Sequence, residues 1–390
     1  MSAARMRLLA LATHGIAGPS TRFRVLQWKP YLEDAGVALT LHAIFSAKMT
    51  VALYQSGWTM AKLAASASGA ARRWATLARL PELADVLLIH REIFPLGRKP
   101  FWRVLERFPG PIIYDYDDAM FMPQRGDRGI LRWWEKIDTP KAAMALSDVV
   151  LAGNEFLAAY ARPHARRVVV LPTCIDTARF EPPARPPADG KPVVGWIGSY
   201  TASKYLLGLV PVLQAVAERV PFRLYVVGCH PVPPIQGVEI EQVAWSLARE
   251  VEDFQRCDVG VYPLWDDEWA KGKCAFKAIQ FMACGAPVVA SAVGMNRELI
   301  KDGVNGSLAS TPEEWVEKLA RLLADPALRA RWGVAARQTV EESYSVRAHA
   351  TTFIRALREA VHGHAQPGAS RAEDMAGLPF PRAALSRGSG

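Results

Sequence analysis

The segment from Lys271 to Gly306 contains the residue types best suited to holding a phosphorylated ligand. Its basic turn carries Lys273 and Lys277, and Gln280 follows Lys277 by three residues, so these two side chains share one helix face. Because cations oppose the dipole at a helix N-terminus, an anion between them would explain their placement. We therefore predict that the lysines and the free helix amides bind a diphosphate, while the Gln280 amide contacts ribose hydroxyls. The alternative is a solvated basic helix end.

A second phosphate-binding pattern is the sequence GWIGSYTASK, in which a strand, a glycine turn and a helix start follow one another. Gly198 permits close approach of a phosphate, Ser199 can donate a hydrogen bond to it, and Lys204 can neutralise its charge. The same pattern also describes an ordinary turn with an N-capping serine. We expect this turn and the basic turn to converge on one diphosphate.

Carboxylates follow a buried-strand pattern in the sequence IIYDYDDA, which ends at Ala119. Asp117 and Asp118 would then lie at the carboxyl end of a strand, where parallel sheets bind ligands. There they could orient an acceptor hydroxyl or contact a sugar. The alternative is a helix cap with a surface pair. The D-x-D spacing of Asp115 and Asp117 also resembles a metal site, which is disfavoured because no third ligand accompanies it.

The loop that follows the first strand pattern has the sequence GIAGPSTRFR and is predicted to cover the cleft. Gly18 and Ser20 lie in its turn, and Arg22 or Arg24 could reach an anionic group on the acceptor side. In the alternative interpretation, Ser20 caps the next helix and the loop has no further role.

Length and composition indicate a globular protein of two domains. The chain has 390 residues, of which 50% are hydrophobic and 22% are charged, as in ordinary folded proteins. No window approaches 18 uninterrupted apolar residues, and the apolar run after Arg7 is too short for a secretory signal, so we interpret it as a buried strand. Five irregularly spaced cysteines and eight scattered histidines favour free thiols in a reducing cytosol and no zinc site.

Positive charge is concentrated in the N-terminal half. Residues 1–189 contain 25 Lys and Arg against 17 Asp and Glu, whereas the remainder contains 22 against 21. This excess favours an anionic partner: membrane phospholipid, a lipid-linked phosphate or, least favoured, nucleic acid, for which no binding module is present. Trp102, Trp133 and Trp134 lie among basic residues and could contact a membrane interface, although such aromatics are more often core. We expect a cytoplasmic location and keep association with the inner membrane face as an option.

Short apolar runs alternate with longer helical patterns throughout the chain. This alternation predicts the α/β class, with two Rossmann-like doubly wound domains that face a central cleft. We predict an acceptor-binding domain over residues 1–180 and a donor-binding domain over residues 192–345. A proline-rich linker at 181–191 separates them. A helix at 346–362 packs back across the hinge, and residues 363–390 form a disordered tail.

The order of these motifs resembles retaining glycosyltransferase family 4, whose members have the two-domain GT-B fold. The C-terminal half resembles the family's glycosyltransferase group 1 domain. The matching segments are VVGWIGS with the lysine after it, DVGVYPL, KAIQFMACGAPVVAS and GMNRELIKDGVNG. In the N-terminal half, YDYDDA and LPTCIDTARF resemble the acceptor-side strand and the exit turn. The resemblance covers most of the chain.

The resemblance implies transfer of a sugar from a nucleotide-diphosphate sugar to a saccharide or lipid-linked acceptor, with retention of configuration, in cell-surface polysaccharide or glycoconjugate synthesis. It implies neither a cofactor nor a required metal. It places Gly198, Ser199 and Lys204 at the donor diphosphate, and Gln280 where many members have a ribose-contacting glutamate. Asp117 stands where many have a histidine near the reacting sugar. The residues expected to take part in catalysis are Asp117, Asp118, Lys204 and Lys277.

Two departures from the family pattern leave alternatives open. Gly272 stands where members have the first glutamate of a conserved pair, and Ser199 replaces a common arginine. Either Lys273 and Lys277 supply the phosphate charge, or catalysis has decayed and the protein is a binding or scaffold partner in glycan assembly. A GT-B nucleotide-sugar epimerase is a further alternative. An NAD-dependent enzyme is disfavoured because no G-x-G-x-x-G with a following acidic residue is present.

Overall fold

The structure is a computed structural model that describes residues 5–46, 49–50, 60–93, 104–122, 139–184 and 190–365. These residues form two parallel sheets of six strands each. The N-terminal sheet has the order β2-β1-β3-β4-β5-β6 and contains β1 (Met6–His14), β2 (Val37–Phe45), β3 (Val86–His90), β4 (Ile112–Tyr116), β5 (Val149–Ala152) and β6 (Val168–Val170). The C-terminal sheet has the order β12-β11-β10-β7-β8-β9 and contains β7 (Val193–Ile197), β8 (Arg223–Val227), β9 (Glu239–Val243), β10 (Val259–Tyr262), β11 (Val288–Ser291) and β12 (Gly306–Ala309).

Both sheets are doubly wound, which confirms the predicted fold class. In each domain the first strand lies inside the sheet: β1 pairs in parallel with β2 and β3, and β7 pairs in parallel with β8 and β10. The chain therefore leaves this strand in both directions. The crevice that this reversal creates lies at the carboxyl ends of the strands, where such sheets bind ligands.

Helices cover both faces of the sheets. The described helices of the first domain are α1 (Pro19–Arg24), α2 (Lys29–Asp34), α3 (Met60–Ala78), α4 (Leu80–Leu83), α5 (Thr139–Leu146) and α6 (Glu155–Ala161). Those that follow are α7 (Ser203–Ala217), α8 (Glu250–Gln255), α9 (Glu268–Lys271), α10 (Phe276–Ala283), α11 (Asn296–Leu299), α12 (Pro312–Ala324), α13 (Pro326–Ser343) and α14 (Val346–His364). A short 3₁₀ helix separates α1 from α2, and Pro30 lies in the first turn of α2, where its missing N–H costs no helical hydrogen bond.

The two domains share a continuous apolar core beneath the cleft. Buried side chains of β1, β4, α10 and α13 belong to one cluster. Aromatic rings cross the domain boundary, with the centroids of Phe23 and Phe276 4.4 Å apart. Helix α14 returns to the N-terminal sheet, where Phe353 packs against Trp28 at a centroid distance of 5.2 Å. The domains are thus held together on one side and can form a cleft on the other.

Several predictions fall on residues outside the described ranges. These are the tryptophans at 102, 133 and 134, residues 185–189 of the proline-rich linker, and residues 366–390 of the tail. Within the described ranges, no helix is both long and apolar enough to span a bilayer. The same ranges contain no group of three His, Cys, Asp or Glu that could hold a metal ion. All five cysteines are buried free thiols.

Candidate active site

The carboxyl edges of the two sheets meet where the basic turn, residues 271–275, packs against the aspartate loop, residues 117–119. Asn154, which caps α6, donates from Nδ2 to the carbonyls of Lys271 and Lys273 at 3.3 and 3.1 Å. Cys274 Sγ donates to the carbonyl of Asp117 at 3.3 Å. The N-terminal domain therefore holds the basic turn in place through its backbone.

Gly272 allows this close approach. A Cβ added at Gly272 would lie 2.6 Å from Ala119 Cβ and 3.2 Å from the Ala119 nitrogen, closer than side-chain carbons pack. Gly272, which aligns with a glutamate in the family that the sequence resembles, is therefore a contact point between the domains. Any larger residue there would have to push the aspartate loop away.

Asp117 lies at the cleft end of a set of hydrogen-bonded side chains. Arg91 Nε donates to its Oδ1 at 2.6 Å, and Ser20 Oγ lies 2.9 and 2.8 Å from its two oxygens. Burial by itself would raise the pKa of Asp117. The electrostatic effects of Arg91, His90 and Arg24 outweigh burial and hold that pKa well below its usual value. Asp117 is therefore an ionised hydrogen-bond acceptor.

Two further groups support Ser20 and Asp117 from below. His90 Nε2 is 2.8 Å from Ser20 Oγ, and His90 Nδ1 is 2.7 Å from Asp115 Oδ2. Asp115 is also paired with Arg24. We call Arg24, Asp115, His90, Ser20, Asp117 and Arg91 the Asp117 chain.

Arg24 and Gly18, both predicted on the acceptor side, have supporting positions. Arg24 is only 2% exposed, and its guanidinium also donates to the carbonyl of Leu171 at 2.6 Å, so it contacts interior groups instead of the cleft. Burial lowers the pKa of Arg24, but the Asp115 charge more than compensates and raises it. Gly18 is buried, and a Cβ there would lie 2.6 Å from His14 Cβ.

Asp118 joins cations of both domains. Arg91 Nη2 lies 3.9 Å from its Oδ2, and Lys273 Nζ lies 4.0 Å from its Oδ1. Both distances are at the outer limit of an ion pair. Lys273 also lies above the Trp269 ring, 5.4 Å from its centroid. Asp118 and Lys273, both predicted site residues, are thus brought to the same point of the cleft.

A second group of charges surrounds Glu250, at the start of α8. Glu250 is 1% exposed and accepts from Arg22 Nη2 at 2.5 Å and from Arg179 Nη2 at 3.1 Å. Arg22 reaches it from the N-terminal domain and lies between the rings of Phe23 and Trp245. Arg22 therefore bridges the domains.

Lys277 and Gln280 complete this group, which we call the Glu250 cluster together with Glu250, Arg22 and Arg179. Lys277 Nζ donates to Gln280 Oε1 at 2.9 Å. Burial lowers the pKa of Lys277, Glu250 opposes this shift and Arg22 adds to it, and the resulting pKa is about 8. Gln280 is fully buried. Gln280 Nε2 and Arg22 Nε are buried donors with no acceptor among the described residues.

The first glycine turn lies apart from these contacts. Gly198 follows β7, and a Cβ there would lie 2.3 Å from the Trp196 ring. Ser199 is exposed and pairs with the Thr201 hydroxyl at 2.9 Å. Lys204 is exposed, with Nζ 4.7 Å from the centroid of the Trp265 ring. The contacts described for Lys204 and Lys277 share no residue, so their convergence on one diphosphate stays a prediction.

Sequence reasoning missed several residues of this site. His90 and Arg91 follow a predicted strand at its carboxyl end, so the rule that selected Asp117 could also have selected them. The sequence around Asn154 indicates a helix N-cap, but not its contact with the basic turn. Glu250 and Arg179 carried no signal, because each is defined by partners distant in the sequence.

Comparisons with known proteins agree with this architecture. Residues 191–325 match the family described as Glycosyl transferases group 1. A D-inositol 3-phosphate glycosyltransferase of Xylanimonas cellulosilytica is 27% identical over 293 residues, which are 65% of this chain and 67% of that protein. A protein of the same name from Paenarthrobacter aurescens is 33% identical over 133 residues, covering 34% of this chain but only 29% of the relative.

Solved structures share the fold at low sequence identity. Sucrose-phosphate synthase from Thermosynechococcus elongatus superposes with a TM-score of 0.66 at 17% identity, over 91% of this chain and 99% of that one. Anabaena HepE in complex with UDP-glucose superposes with a TM-score of 0.59 at 16% identity, over 91% of this chain and all of the other. The chain therefore has the GT-B fold, and its residues 191–325 match the glycosyl transferases group 1 family.

Proposed function

We propose that this protein is a glycosyltransferase that takes a sugar from a nucleotide-diphosphate sugar and passes it to a saccharide or lipid-linked acceptor. The group 1 domain and the GT-B fold support transferase activity, and the HepE complex is a precedent for a UDP-sugar in this fold. Retention of configuration, as in family 4, and a role in cell-surface glycan synthesis are parts of the same proposal. A cytoplasmic location, with contact to the inner face of the membrane, is also part of the proposal.

The observation that carries the proposal is the charge balance of the Glu250 cluster. Three cationic side chains, those of Arg22, Arg179 and Lys277, lie near one carboxylate, and two buried N–H donors beside them have no acceptor among the described residues. Leaving buried donors unpaired costs free energy. A diphosphate with its ribose would supply both negative charge and acceptor oxygens, so the cluster has the composition of a donor site.

The Glu250 cluster and the Asp117 chain divide the chemistry between them. Binding energy positions the reactants, and fixed positive charge stabilises the diphosphate as it leaves. Lys277 and Lys273, with Lys204 in the other turn, provide that charge. The leaving phosphate takes the proton of the acceptor hydroxyl, while Asp117 and Asp118 orient that hydroxyl. No metal or cofactor enters this scheme.

Thermal unfolding in the presence of UDP-, GDP- and ADP-sugars tests the donor assignment. A ligand that binds the folded state raises its apparent stability by mass action, so one nucleotide series should raise the Tm of the wild-type protein. Lys277→Ala should abolish both this rise and sugar transfer measured by mass spectrometry. Lys301→Ala, which removes an exposed lysine of the same domain, is the matched control and should behave as wild type.

The same assay separates the proposal from its alternatives. A rise in Tm without transfer to any acceptor would favour a binding protein that has lost catalysis. No rise with any nucleotide sugar, or an equal rise in Lys277→Ala, would contradict the donor site at the Glu250 cluster.

A further inference from the structure

Four polar side chains form a continuous hydrogen-bond path from the interior of the N-terminal domain to the cleft. The path runs from Asp115 to His90, from His90 to Ser20, and from Ser20 to Asp117, with heavy-atom distances of 2.7, 2.8 and 2.8 Å. Asp115 and His90 are almost completely buried. Ser20 and Asp117 are partly exposed and end the path at the cleft.

Counting hydrogens along this path leaves two arrangements. His90 Nδ1 faces a carboxylate that is already paired with Arg24, so Nδ1 carries a hydrogen. Ser20 has one hydrogen, but both Asp117 and His90 Nε2 lie within hydrogen-bond distance of its Oγ. In the first arrangement, Ser20 donates its hydrogen to Asp117. The hydrogen bond between Ser20 and His90 then requires a hydrogen on Nε2, so His90 is an imidazolium. If Ser20 donates to Nε2, the same proton lies on Asp117.

The two arrangements contain the same number of protons and differ only in where one proton lies. Nearby charge favours the arrangement with Asp117 ionised. Arg91 donates directly to Asp117, and the Asp115 carboxylate stabilises a positive charge on His90. Among the described residues, the charged and titratable groups that face His90 and Asp117 are Arg24 of α1, His14 of β1, Arg91, Asp115, Asp118 and Cys274 of the basic turn. Burial, Arg91 and His90 lower the pKa of His14 to about 4, and burial raises that of Cys274 to about 12. Both are therefore uncharged at neutral pH.

We propose that His90 and Ser20 are positioning residues that hold one proton away from Asp117, so that Asp117 stays an ionised acceptor for a hydroxyl of the acceptor substrate. The use of that acceptor in sugar transfer rests on the proposed function, whereas the shared proton does not. No proton leaves the path: it moves between Asp117 and His90 through the Ser20 hydroxyl. Asp115 and Arg24 fix the ring of His90 from below.

The protonation of His90 is measured directly by NMR of the full-length protein labelled with ¹⁵N-histidine, with His90→Gln used for assignment. In the wild type, both ring nitrogens of His90 should carry hydrogens at neutral pH. In Ser20→Ala the path is interrupted, and the His90 resonances should move to those of a neutral ring. A His90 that is neutral in the wild type, or a charged His90 in both proteins, would overturn the proposal without bearing on the donor site.

Kinetics with the donor and acceptor identified in the transfer assay give a second readout. Ser20→Ala should raise KM for the acceptor about tenfold, because one charged hydrogen bond is lost, and leave KM for the donor unchanged. The acidic limb of the pH profile of kcat/KM should also move to higher pH, since Asp117 loses both a donor and a nearby positive charge.

Two variants separate this effect from packing. Ser20→Thr keeps the hydroxyl and should restore the pH profile and most of the acceptor KM. Ser147→Ala removes a buried serine hydroxyl of the same domain, which donates to the Ala143 carbonyl at 2.7 Å, and should change neither the pH profile nor the acceptor KM. If Ser20→Thr fails as Ser20→Ala does, or if Ser20→Ala keeps the wild-type pH profile, His90 and Ser20 have only a structural role.

Discussion

The Asp117 chain and the Glu250 cluster differ in how fully their bonds are made. In the Asp117 chain, no buried side-chain nitrogen or oxygen lacks a partner, as far as the described residues show. In the Glu250 cluster, Arg22 Nε and Gln280 Nε2 lack a partner within the same described ranges. Buried polar groups are nearly always paired in folded proteins, so a group left unpaired points to a missing ligand. The first set of residues is therefore complete by itself, whereas the second is suited to binding.

The difference follows from where the two sets lie. All members of the Asp117 chain belong to the N-terminal domain, so one folding event fixes their geometry. In the Glu250 cluster, Arg22 and Arg179 come from one domain while Glu250, Lys277 and Gln280 come from the other. A ligand that enters the cleft can change the second set by moving one domain against the other. It cannot easily change the first set.

The largest expected effect comes from breaking the Asp117 chain at its buried end. Asp115→Asn would leave Arg24, 2% exposed, and His90, also 2% exposed, without their counter-charge. Removing one partner of a buried ion pair costs about 3–5 kcal/mol. We expect the free energy of unfolding, measured by urea denaturation, to fall by about that amount.

A matched control for this variant is Glu82→Gln. Glu82 pairs with Arg79 at 3.0 Å on the surface, where both side chains are about two-thirds exposed. Exposed pairs contribute about 1 kcal/mol or less. If Asp115→Asn cost no more than Glu82→Gln, the chain would not be the rigid unit described above.

A medium effect is expected at the contact that brings the two sets to one cleft. In Gly272→Ala the new methyl would meet Ala119 Cβ at 2.6 Å, so the basic turn or the aspartate loop must shift. Overpacking of this kind costs about 1–3 kcal/mol. We expect Tm to fall and the affinity for the nucleotide sugar to weaken, as measured by calorimetry.

Ala119→Gly removes the Ala119 Cβ, which is the nearest atom in that contact. It should therefore suppress part of the effect of Gly272→Ala. The double variant should recover part of the lost stability, whereas two independent sites would give additive losses. Additive losses would mean that Gly272 and Ala119 are not in contact in solution.

Much of the fold could be predicted because local patterns specify it. The strands β7, β8, β10 and β11 agree with the predicted alternation, since each is a short apolar run ended by turn residues. The helical pattern over residues 22–35 is divided into α1 and α2, and Pro30 lies in the first turn of α2, where a helix tolerates proline. Strand β12 was missed because its four residues begin with a glycine and include a serine, which resembles a turn more than a strand.

The site could be predicted only in part, because spacing shows which edge a residue occupies but not its partners. Ser20, Asp117 and Asp118 were selected by their position after strands, and the structure places them together. Arg22 was selected as well, but its partner Glu250 lies 228 positions away. No local pattern reports such a pair. The absence of a glutamate at position 272 was visible in the sequence, but the contact with Ala119 that explains it was not.

The smallest expected effect is a pH dependence of stability that only the Glu250 cluster should show. The pKa of Lys277 falls from 10.5 to about 8 on folding, chiefly through burial. Below about pH 8 the lysine is charged in both states, and the folded protein bears the full cost of the buried charge. Between pH 8 and 10.5 only the unfolded chain holds the proton, so the free energy of unfolding should rise with pH.

Other groups titrate in this range, so the measurement is a difference between two proteins. The wild type should gain stability relative to Lys277→Met as pH rises from 8 to 10.5. Lys301→Met, which alters an exposed lysine, should show no such trend. The gain is expected to be smaller than the two effects above because Lys277 is not fully closed to solvent. A flat difference would mean that Lys277 is solvated, and the contrast between a complete and an incomplete cluster would then lose its electrostatic basis.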